Sequence, residues 1–285
     1  MMKARRTWLG LAILGLCVLA IFLMLRRFEQ NMVYQPSRQL DAAPGELGRP
    51  CEDVFILVAG DERIAAWYFP AATKGAPVLL VCHGNAGDIS HRLDLCAVLL
   101  EAGAGVLLFD YRGYGRSDGK PDEEGTYRDA QAAYHWLREK GLAGTNILAY
   151  GESLGGGVAS ELALREPLGG LILQSTFTSV PDLGAELFPW LPVRLIGRIR
   201  YDTRRKLPRL TIPILILHSP QDDLIPFAHA EKNFAAAHDP KFLCELSGRH
   251  NDGPWPSRPI ILRAVREFLQ THAVKQIHTE SEPAR

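Results

Sequence analysis

The feature that most constrains the fold is an alternation of short apolar runs with longer amphipathic segments between residues 77 and 270. The run V-L-L-V at 78–81 has no polar residue, as expected for a strand buried on both faces of a sheet. Helices between such strands favour parallel strands joined by crossovers. The predicted strands are 77–82, 105–109, 146–150, 171–174, 214–217 and 241–246, and the predicted helices are 89–101, 127–140, 154–165, 227–237 and 258–270.

Two β-rich runs, 54–58 and 63–69, are separated by a short turn and predict an antiparallel hairpin ahead of the parallel strands. Together these elements predict one α/β domain over 51–270, with a central sheet of about eight strands and helices on both faces. The strand pattern lapses over 177–210, which predicts a short cap. We expect 271–285 to be a flexible tail.

The N-terminal segment 8–25 contains no charged residue, and as a helix it would be about 27 Å long, close to the thickness of a bilayer core. We therefore predict a transmembrane anchor there, between a basic segment at 1–7 and a linker at 26–50. The flanking basic residues favour a cytoplasmic N-terminus, with the folded domain on the other side of the membrane. Signal-peptide cleavage after Ala20 and lipidation of Cys17 are the alternatives.

Composition narrows the class of protein. Of the 285 residues 47% are hydrophobic, which supports a large core and excludes a disordered chain. Lys and Arg total 32 and Asp and Glu total 32, so the net charge is zero and we expect no nucleic-acid partner. The five cysteines are odd in number and widely spaced, which indicates neither a disulfide framework nor a zinc site.

A G-x-S-x-G pattern, G-E-S-L-G at 151–155, stands between a predicted strand and a predicted helix. This context is typical of a nucleophile elbow, a sharp turn that presents a serine hydroxyl at the edge of the sheet. The pattern also occurs around Ser117, but in a loop rich in Gly and Asp with no helix beside it. We therefore predict Ser153 as the nucleophile and interpret Ser117 as a turn residue.

A serine nucleophile needs a general base and a group that orients this base. Asp222 and His250 each follow a predicted strand, so Ser153, Asp222 and His250 have the order and the placement of a catalytic triad. We prefer Asp222 to its neighbour Asp223 and to Asp252 as the acid.

Other histidines receive less weight. His229 and His238 are assigned to a predicted helix and expected to be solvated. The residues that a metal site would use are His218, Asp222, His250 and Asp252. Such a site would not need a serine elbow, so we predict neither a metal nor a cofactor.

The loop H-G-N-A-G at 83–87 follows the first parallel strand. Acyl transfer develops negative charge on the carbonyl oxygen, which two backbone N–H groups stabilise in an oxyanion hole. We predict the N–H groups of Asn85 and Leu154 as these donors, and we expect His83 to support the loop.

Together these motifs resemble the α/β-hydrolase superfamily, in particular the small membrane-anchored serine hydrolases related to the bud-emergence proteins and the protein depalmitoylases. The matching segments are H-G-N-A-G at 83–87, D-Y-R-G-Y-G-R-S at 110–117, G-E-S-L-G-G at 151–156, Asp222, and H-N-D at 250–252. The resemblance covers 54–269 and implies the α/β-hydrolase fold with Ser153, Asp222 and His250 as its triad. Two residues depart from the pattern of similar proteins: Ser219 stands where they usually carry glycine, and Arg249 stands where a small residue is common.

The predicted cap points to the substrate. Its apolar Phe177, Phe188 and Trp190 are predicted to line an acyl pocket, with packing onto the sheet as the alternative. Its basic residues either meet anionic head groups or form a solvated face; they are Arg194, Arg198, Arg200, Arg204, Arg205, Lys206 and Arg209. We expect a serine hydrolase that cleaves lipid-like acyl esters or thioesters. A serine peptidase and a non-catalytic membrane scaffold are the alternatives.

Overall fold

The computed structural model describes residues 2–58 and 60–280, and the side chains of 8, 11, 13–58 and 60–271. It contains two compact units, Met1–Gln35 and Pro36–Arg285. The first unit contains one long helix, α1 (Met2–Val33). Within the described residues, no helix has the combination of length and apolar character that a membrane crossing requires. Of the predicted terminal segments, residues 1 and 281–285 lie outside the described residues.

The second unit is built on an eight-stranded sheet with the order β1-β2-β4-β3-β5-β6-β7-β8. The strands are β1 (Glu52–Leu57), β2 (Arg63–Phe69), β3 (Val78–Cys82), β4 (Gly105–Phe109), β5 (Ile147–Glu152), β6 (Gly170–Gln174), β7 (Ile214–His218) and β8 (Lys241–Glu245). Strand β2 is antiparallel to β1 and β4, whereas β3 to β8 are mutually parallel. The carboxyl ends of β3 to β8 therefore meet at one edge of the sheet.

Helices cover both faces of this sheet. They are α2 (Leu93–Glu101), α3 (Glu123–Glu139), α4 (Leu154–Arg165), α5 (Val180–Leu187), α6 (Val193–Ile196), α7 (Thr203–Lys206), α8 (Ala228–Ala236) and α9 (Arg258–Glu280). Helix α2 packs with α9, and α3 packs with α4. Every residue of β3 and β4 is buried, as expected for strands with helices on both sides.

The structure confirms the predicted parallel sheet and its antiparallel hairpin. The observed ends of some helices differ from the predicted ends, because they depend on side chains outside the apolar pattern. Helix α3 begins earlier than predicted because the Asp122 carboxylate accepts a hydrogen bond from Gly125 N at 2.8 Å and caps the helix. Helix α9 continues to Glu280, past the predicted end at 270. The segment predicted as a cap contains the short helices α5, α6 and α7.

Candidate active site

Ser153 occupies the sharp turn between β5 and α4. Its backbone has φ 52° and ψ −115°, a left-handed conformation that strains a residue with a side chain. The turn is held closed because Thr176 Oγ1 and Gly156 N donate to the Ser153 carbonyl oxygen at 2.5 and 3.0 Å. A Cβ on Gly155 would overlap the Cys82 carbonyl oxygen, so the close approach of helix and strand requires glycine there.

His250 lies between the serine and a carboxylate. Its Nδ1 donates to Asp222 Oδ2 at 2.8 Å, and its Nε2 lies 3.1 Å from Ser153 Oγ. With the ring proton on Nδ1, Nε2 is the atom that accepts the serine hydrogen. The structure therefore brings the three predicted side chains into one hydrogen-bonded chain, although they come from three separate loops.

The Asp222 carboxylate is fixed by its own loop. Its Oδ1 accepts hydrogen bonds from Leu224 N at 3.0 Å and Ile225 N at 2.7 Å, and its side chain is almost fully buried. Burial alone would raise the pKa of Asp222, but the hydrogen bond and charge of His250 and these two N–H donors outweigh it, so the pKa is lowered. Asp222 thus stays ionised and holds the imidazole proton on Nδ1.

The two competing carboxylates have other partners. Asp223 Oδ1 accepts a hydrogen bond from the backbone N of His250 at 3.2 Å, and Asp252 Oδ2 accepts one from Arg249 N at 2.7 Å. Both contacts order the loop that carries His250 without touching its ring. The geometry therefore favours Asp222 over Asp223 and Asp252 as the partner of the His250 ring, in agreement with the preference drawn from the sequence.

The expectation that His229 is solvated is wrong. The ring is fully buried: its Nδ1 accepts from Thr178 N at 3.0 Å, and its Nε2 donates to Glu186 Oε2 at 3.2 Å. The loop after β6 folds back over α8, a tertiary contact that helix periodicity does not report. His238 is exposed and donates to the Pro208 carbonyl oxygen at 2.9 Å.

The loop at 83–87 approaches Ser153, since a Cβ on Gly84 would lie 3.6 Å from Ser153 Cβ. Leu154 is the first residue of α4, so its N–H has no acceptor in a preceding helical turn. Among residues 2–58 and 60–280, no group accepts a hydrogen bond from Asn85 N, and the Asn85 carbonyl accepts one from Tyr114 Oη at 2.8 Å. Both predicted donors are therefore available for an oxyanion.

His83 supports this loop, as predicted. The ring is buried, its Nδ1 donates to the Gly84 carbonyl oxygen at 2.7 Å, and its own carbonyl accepts from Tyr111 Oη at 2.9 Å. Burial, together with the nearby Arg92 charge, lowers the pKa of His83 to about 3. His83 is therefore neutral at physiological pH.

Sequence reasoning missed that Glu152 links Arg92 and the loop at 83–87 to the turn at Ser153. Glu152, the residue before the nucleophile, accepts from Arg92 Nε at 2.9 Å and from Gly84 N at 3.3 Å. Burial would raise the pKa of Glu152, but the charge and hydrogen bond of Arg92 lower it below its ordinary value. The signal in the sequence was the carboxylate inside G-E-S-L-G; nothing local pointed to Arg92.

Ser117 serves the structure. It is fully buried, its hydroxyl donates to the Asp110 carbonyl oxygen at 2.8 Å, and it accepts from Ala65 N at 2.9 Å. The Ser117 hydroxyl thus donates one hydrogen bond and accepts another, and the two bonds join its loop to β2. These contacts agree with the interpretation of Ser117 as a turn residue.

The cap residues are placed differently from one another. Phe177 is buried, and its carbonyl oxygen accepts from Asn233 Nδ2 at 3.2 Å. Phe188 is half-buried and makes an edge contact with Trp190, their ring centroids 6.3 Å apart. Trp190 is 76% exposed, so in this structure it lies on the outside of the cap rather than in an enclosed acyl pocket.

The inclusion of Lys206 in a solvent-facing basic cluster is wrong. Lys206 Nζ is buried, donates to the Gly157 carbonyl oxygen at 2.9 Å and to Tyr127 Oη at 3.0 Å, and pairs with Glu161 Oε2 at 3.0 Å. Its positive charge is used inside the protein. The six arginines named with it are exposed.

Among the described residues, no group of three or more His, Cys, Asp or Glu side chains has an arrangement that would hold a metal ion. The five cysteines are free thiols. The chemistry offered by the site is that of the serine, the imidazole, the carboxylate and the backbone donors.

Comparison with known proteins places this chain in a family. Residues 77–197 match the family model for the alpha/beta hydrolase fold. An uncharacterized protein of Mycobacterium tuberculosis is 36% identical over 92% of this chain and 95% of its own. Protein bem46 of Schizosaccharomyces pombe is 31% identical over 76% of this chain and 77% of its own. The lysophosphatidylserine lipase ABHD12 of Danio rerio is 33% identical over 63% of this chain and 52% of its own.

A solved structure shows the same fold. The esterase Pf2001 of Pyrococcus furiosus has a TM-score of 0.68 at 19% identity, over 85% of this chain and 98% of its own. The predicted α/β-hydrolase resemblance is confirmed, and the match to bem46 agrees with the predicted relation to the bud-emergence proteins. With relatives above 30% identity that span most of its length, the chain belongs to the alpha/beta-hydrolase family and is a hydrolase.

Proposed function

We propose that this hydrolase is a serine enzyme that cleaves acyl esters or thioesters of lipid-like molecules through an acyl-enzyme. The observation that carries the proposal is the contact of one imidazole with both partners: Nε2 of His250 lies 3.1 Å from Ser153 Oγ, and Nδ1 lies 2.8 Å from Asp222 Oδ2. An unactivated serine hydroxyl is a weak nucleophile near pH 7, so a neutral imidazole in this position is what the reaction requires.

In the proposed mechanism His250 Nε2 takes the hydroxyl proton as Ser153 Oγ attacks the acyl carbonyl carbon. Asp222 keeps the other ring proton on Nδ1 and stabilises the imidazolium that forms. The N–H groups of Asn85 and Leu154 hold the oxyanion. The imidazolium then returns its proton to the leaving alkoxide or thiolate. A water molecule, deprotonated by the same imidazole, hydrolyses the acyl-enzyme, and no cofactor takes part.

Two observations support a lipid-like substrate. The relative from Danio rerio is a lysophosphatidylserine lipase. The cap also begins with the buried Phe177, which lies just after the carboxyl end of β6, beside Thr176, whose hydroxyl donates to the Ser153 carbonyl oxygen. We further propose that 8–25 anchors the protein to a membrane, with a cytoplasmic N-terminus and the catalytic unit on the other side. Exposed apolar side chains along α1, such as Leu14, support the anchor.

The nucleophile is tested with Ser153→Ala. We expect p-nitrophenyl ester turnover to fall by at least about 10³-fold and labelling by a fluorophosphonate probe to disappear. Ser117→Ala, checked for folding by circular dichroism, is the matched control and should keep both. Labelling that survives in Ser153→Ala would refute the assignment of the nucleophile.

The substrate class is tested by measuring turnover over a ladder of acyl esters and thioesters from short to long chains, beside a panel of peptide substrates. Long-chain esters or thioesters should have the highest kcat/KM. A preference for peptides would identify a serine peptidase, and fluorophosphonate labelling without turnover of any of these substrates would contradict the proposed substrate class.

A further inference from the structure

The two most exposed large apolar side chains described in the unit Pro36–Arg285 both lie on the cap. Leu195 is 82% exposed and Trp190 is 76% exposed, and Leu187, at the end of α5, is 44% exposed. We call Leu187, Trp190 and Leu195 the cap patch. Large apolar groups gathered on one surface segment mark an interaction site more often than isolated ones do.

Two other exposed aromatic side chains in this unit have polar or charged partners. Trp255 Nε1 donates to Asp94 Oδ2 at 2.9 Å, and the Phe55 ring is covered by the guanidinium groups of Arg63 and Arg116 at 5.1 and 5.2 Å from its centroid. Within the described part of the chain, Trp190 Nε1 has no hydrogen-bond acceptor. An indole with an apolar body and an unpaired N–H suits the boundary between lipid and water.

Positive charge lies on the same segment of the chain as the patch. We call the exposed side chains of Arg194, Arg198, Arg200, Arg204 and Arg205 the arginine belt. Of these, Arg194 pairs with Asp182 at 3.0 Å and Arg205 lies 3.6 Å from Asp202, both on the surface. Residues 177–210 carry seven basic and three acidic side chains in a chain whose net charge is zero. The cap therefore has a net positive charge, and the rest of the chain has a net negative charge of the same size.

The cap is tied to the edge of the sheet that carries the nucleophile. Thr176, just after β6, bonds the Ser153 carbonyl oxygen, and Val180 N donates to the Arg200 carbonyl oxygen at 2.8 Å. Arg204 N donates to the Thr178 carbonyl oxygen at 3.0 Å. These bonds join both halves of the cap to the start of α5, so a surface that engages the cap lies beside the candidate site.

We propose that the cap patch and the arginine belt dock on an anionic lipid bilayer. The patch inserts its apolar side chains among the acyl chains, and the belt binds the phosphate groups of the lipid heads. Charge complementarity favours an anionic bilayer as the occupant, because an apolar protein partner would not require five exposed arginines on the same segment. Delivery of an acyl chain to Ser153 rests on the proposed function, whereas docking itself does not.

Docking is tested with the full chain on vesicles whose acyl chains carry bromine, a short-range quencher of indole fluorescence. Phe at position 190 keeps an apolar ring but removes the reporter, so wild type minus Trp190→Phe isolates the signal of Trp190. We expect phosphatidylglycerol vesicles to quench this signal and phosphatidylcholine vesicles to quench it less. Trp255→Phe is the matched control, since Trp255 is exposed elsewhere, and its difference signal should be unquenched.

The belt is tested in the same assay with Arg204→Glu/Arg205→Glu. We expect the quenching of Trp190 by phosphatidylglycerol to fall by about half or more, since each basic residue near an anionic surface contributes to binding. Lys206 is left in place because it is buried. Equal quenching of wild type and Trp190→Phe, or quenching of Trp255 instead of Trp190, would overturn the proposal.

Failure of docking and failure of the proposed function give different results. Ser153→Ala should show the same quenching of Trp190 as wild type, because docking needs no turnover. In the active enzyme, Leu195→Asp should lower the hydrolysis of a long-chain ester in phosphatidylglycerol vesicles about tenfold and leave a soluble short-chain ester unaffected. Loss of both activities in a folded variant, or of neither, would contradict the role of the patch.

Discussion

At the scale of single residues, Ser153, the proposed nucleophile, is held in a conformation that a side chain disfavours. Ser153 has a positive φ, which costs about 1–3 kcal/mol for a residue with a Cβ. The hydrogen bonds of Thr176 and Gly156 to its carbonyl oxygen, and that of its own N–H to the Gln174 carbonyl oxygen at 2.9 Å, offset this cost. The backbone strain therefore lies at Ser153, the residue whose hydroxyl the turn presents at the edge of the sheet.

This strain predicts an unusual response to glycine. Ser153→Gly should unfold at a higher urea concentration than Ser153→Ala, by about 1 kcal/mol in the free energy of unfolding, because glycine adopts this backbone without penalty. Ser160 sits in regular helix in the middle of α4 and is the control. There Gly should be less stable than Ala by about 1 kcal/mol. The same order at both positions would show that Ser153 is unstrained.

A second residue-scale prediction concerns Glu152 as a positioning residue. Glu152→Gln weakens the ion pair with Arg92 and the bond to Gly84 N, and so loosens the loop that carries Asn85. We expect kcat for a soluble ester to fall about 10- to 100-fold with KM little changed, because a donor displaced from the oxyanion acts on the transition state. Glu124→Gln, which breaks an exposed ion pair with Arg165, is the control. An unchanged kcat would contradict this role.

The residues of the candidate site differed in how far the sequence predicted them. Ser153, Asp222 and His250 follow strands in a known order, so their placement was readable from spacing. Arg92 and His229 were not, because each depends on a contact with a segment far away in the chain. Local periodicity carries no information about which loop returns to cover a given helix.

At the scale of elements, a buried lysine ties the cap to α4, the helix that follows Ser153. Lys206, at the end of α7, reaches Gly157 and Glu161 of α4. Burial lowers the pKa of Lys206, and the charge of Glu161 acts against that shift. The sequence placed Lys206 among solvent-facing arginines because charge patterning does not separate a buried cation from exposed neighbours. The tertiary contact with α4 decides its role.

Removing this cation should loosen the cap. For Lys206→Met we expect the free energy of unfolding to fall by about 1–3 kcal/mol, because Glu161 and the Gly157 carbonyl oxygen lose their buried partner. Arg204→Met, next to it on α7 but exposed, should stay within about 0.5 kcal/mol of wild type. Urea denaturation of the two variants measures the difference. Equal midpoints would mean that Lys206 contributes no more than a surface residue.

At the scale of the whole molecule, the alternation of strands and helices predicted the sheet, because strands buried on both faces leave a clear apolar pattern. It did not predict the buried polar layer beneath the carboxyl edge. There Asp110 Oδ1 faces His83 Nε2 at 3.6 Å and accepts from Ile89 N at 2.9 Å. Burial, with the charge of Asp88, raises the pKa of Asp110 to about 8. The folded protein therefore keeps a neutral pair inside.

This pair makes the stability of the fold depend on pH. Between pH 3.8 and 6.5 the folded pair holds its one proton on Asp110, and the unfolded chain also holds one, on His83. The two linkage slopes cancel, so the contribution of this pair to the free energy of unfolding does not change with pH in that range. Between pH 6.5 and 8 only the folded state holds the proton, so stability falls as pH rises, by about 2 kcal/mol in total.

The substitution Asp110→Asn isolates this effect, because the amide imitates a protonated carboxyl that cannot ionise. In urea denaturation at a series of pH values, wild type should lose about 2 kcal/mol relative to Asp110→Asn between pH 6.5 and 8. Below pH 6.5 the variant should lose stability as pH falls, since the lowered pKa of buried His83 is no longer offset by Asp110. Parallel pH profiles for the two proteins would show that Asp110 is ionised in the folded state.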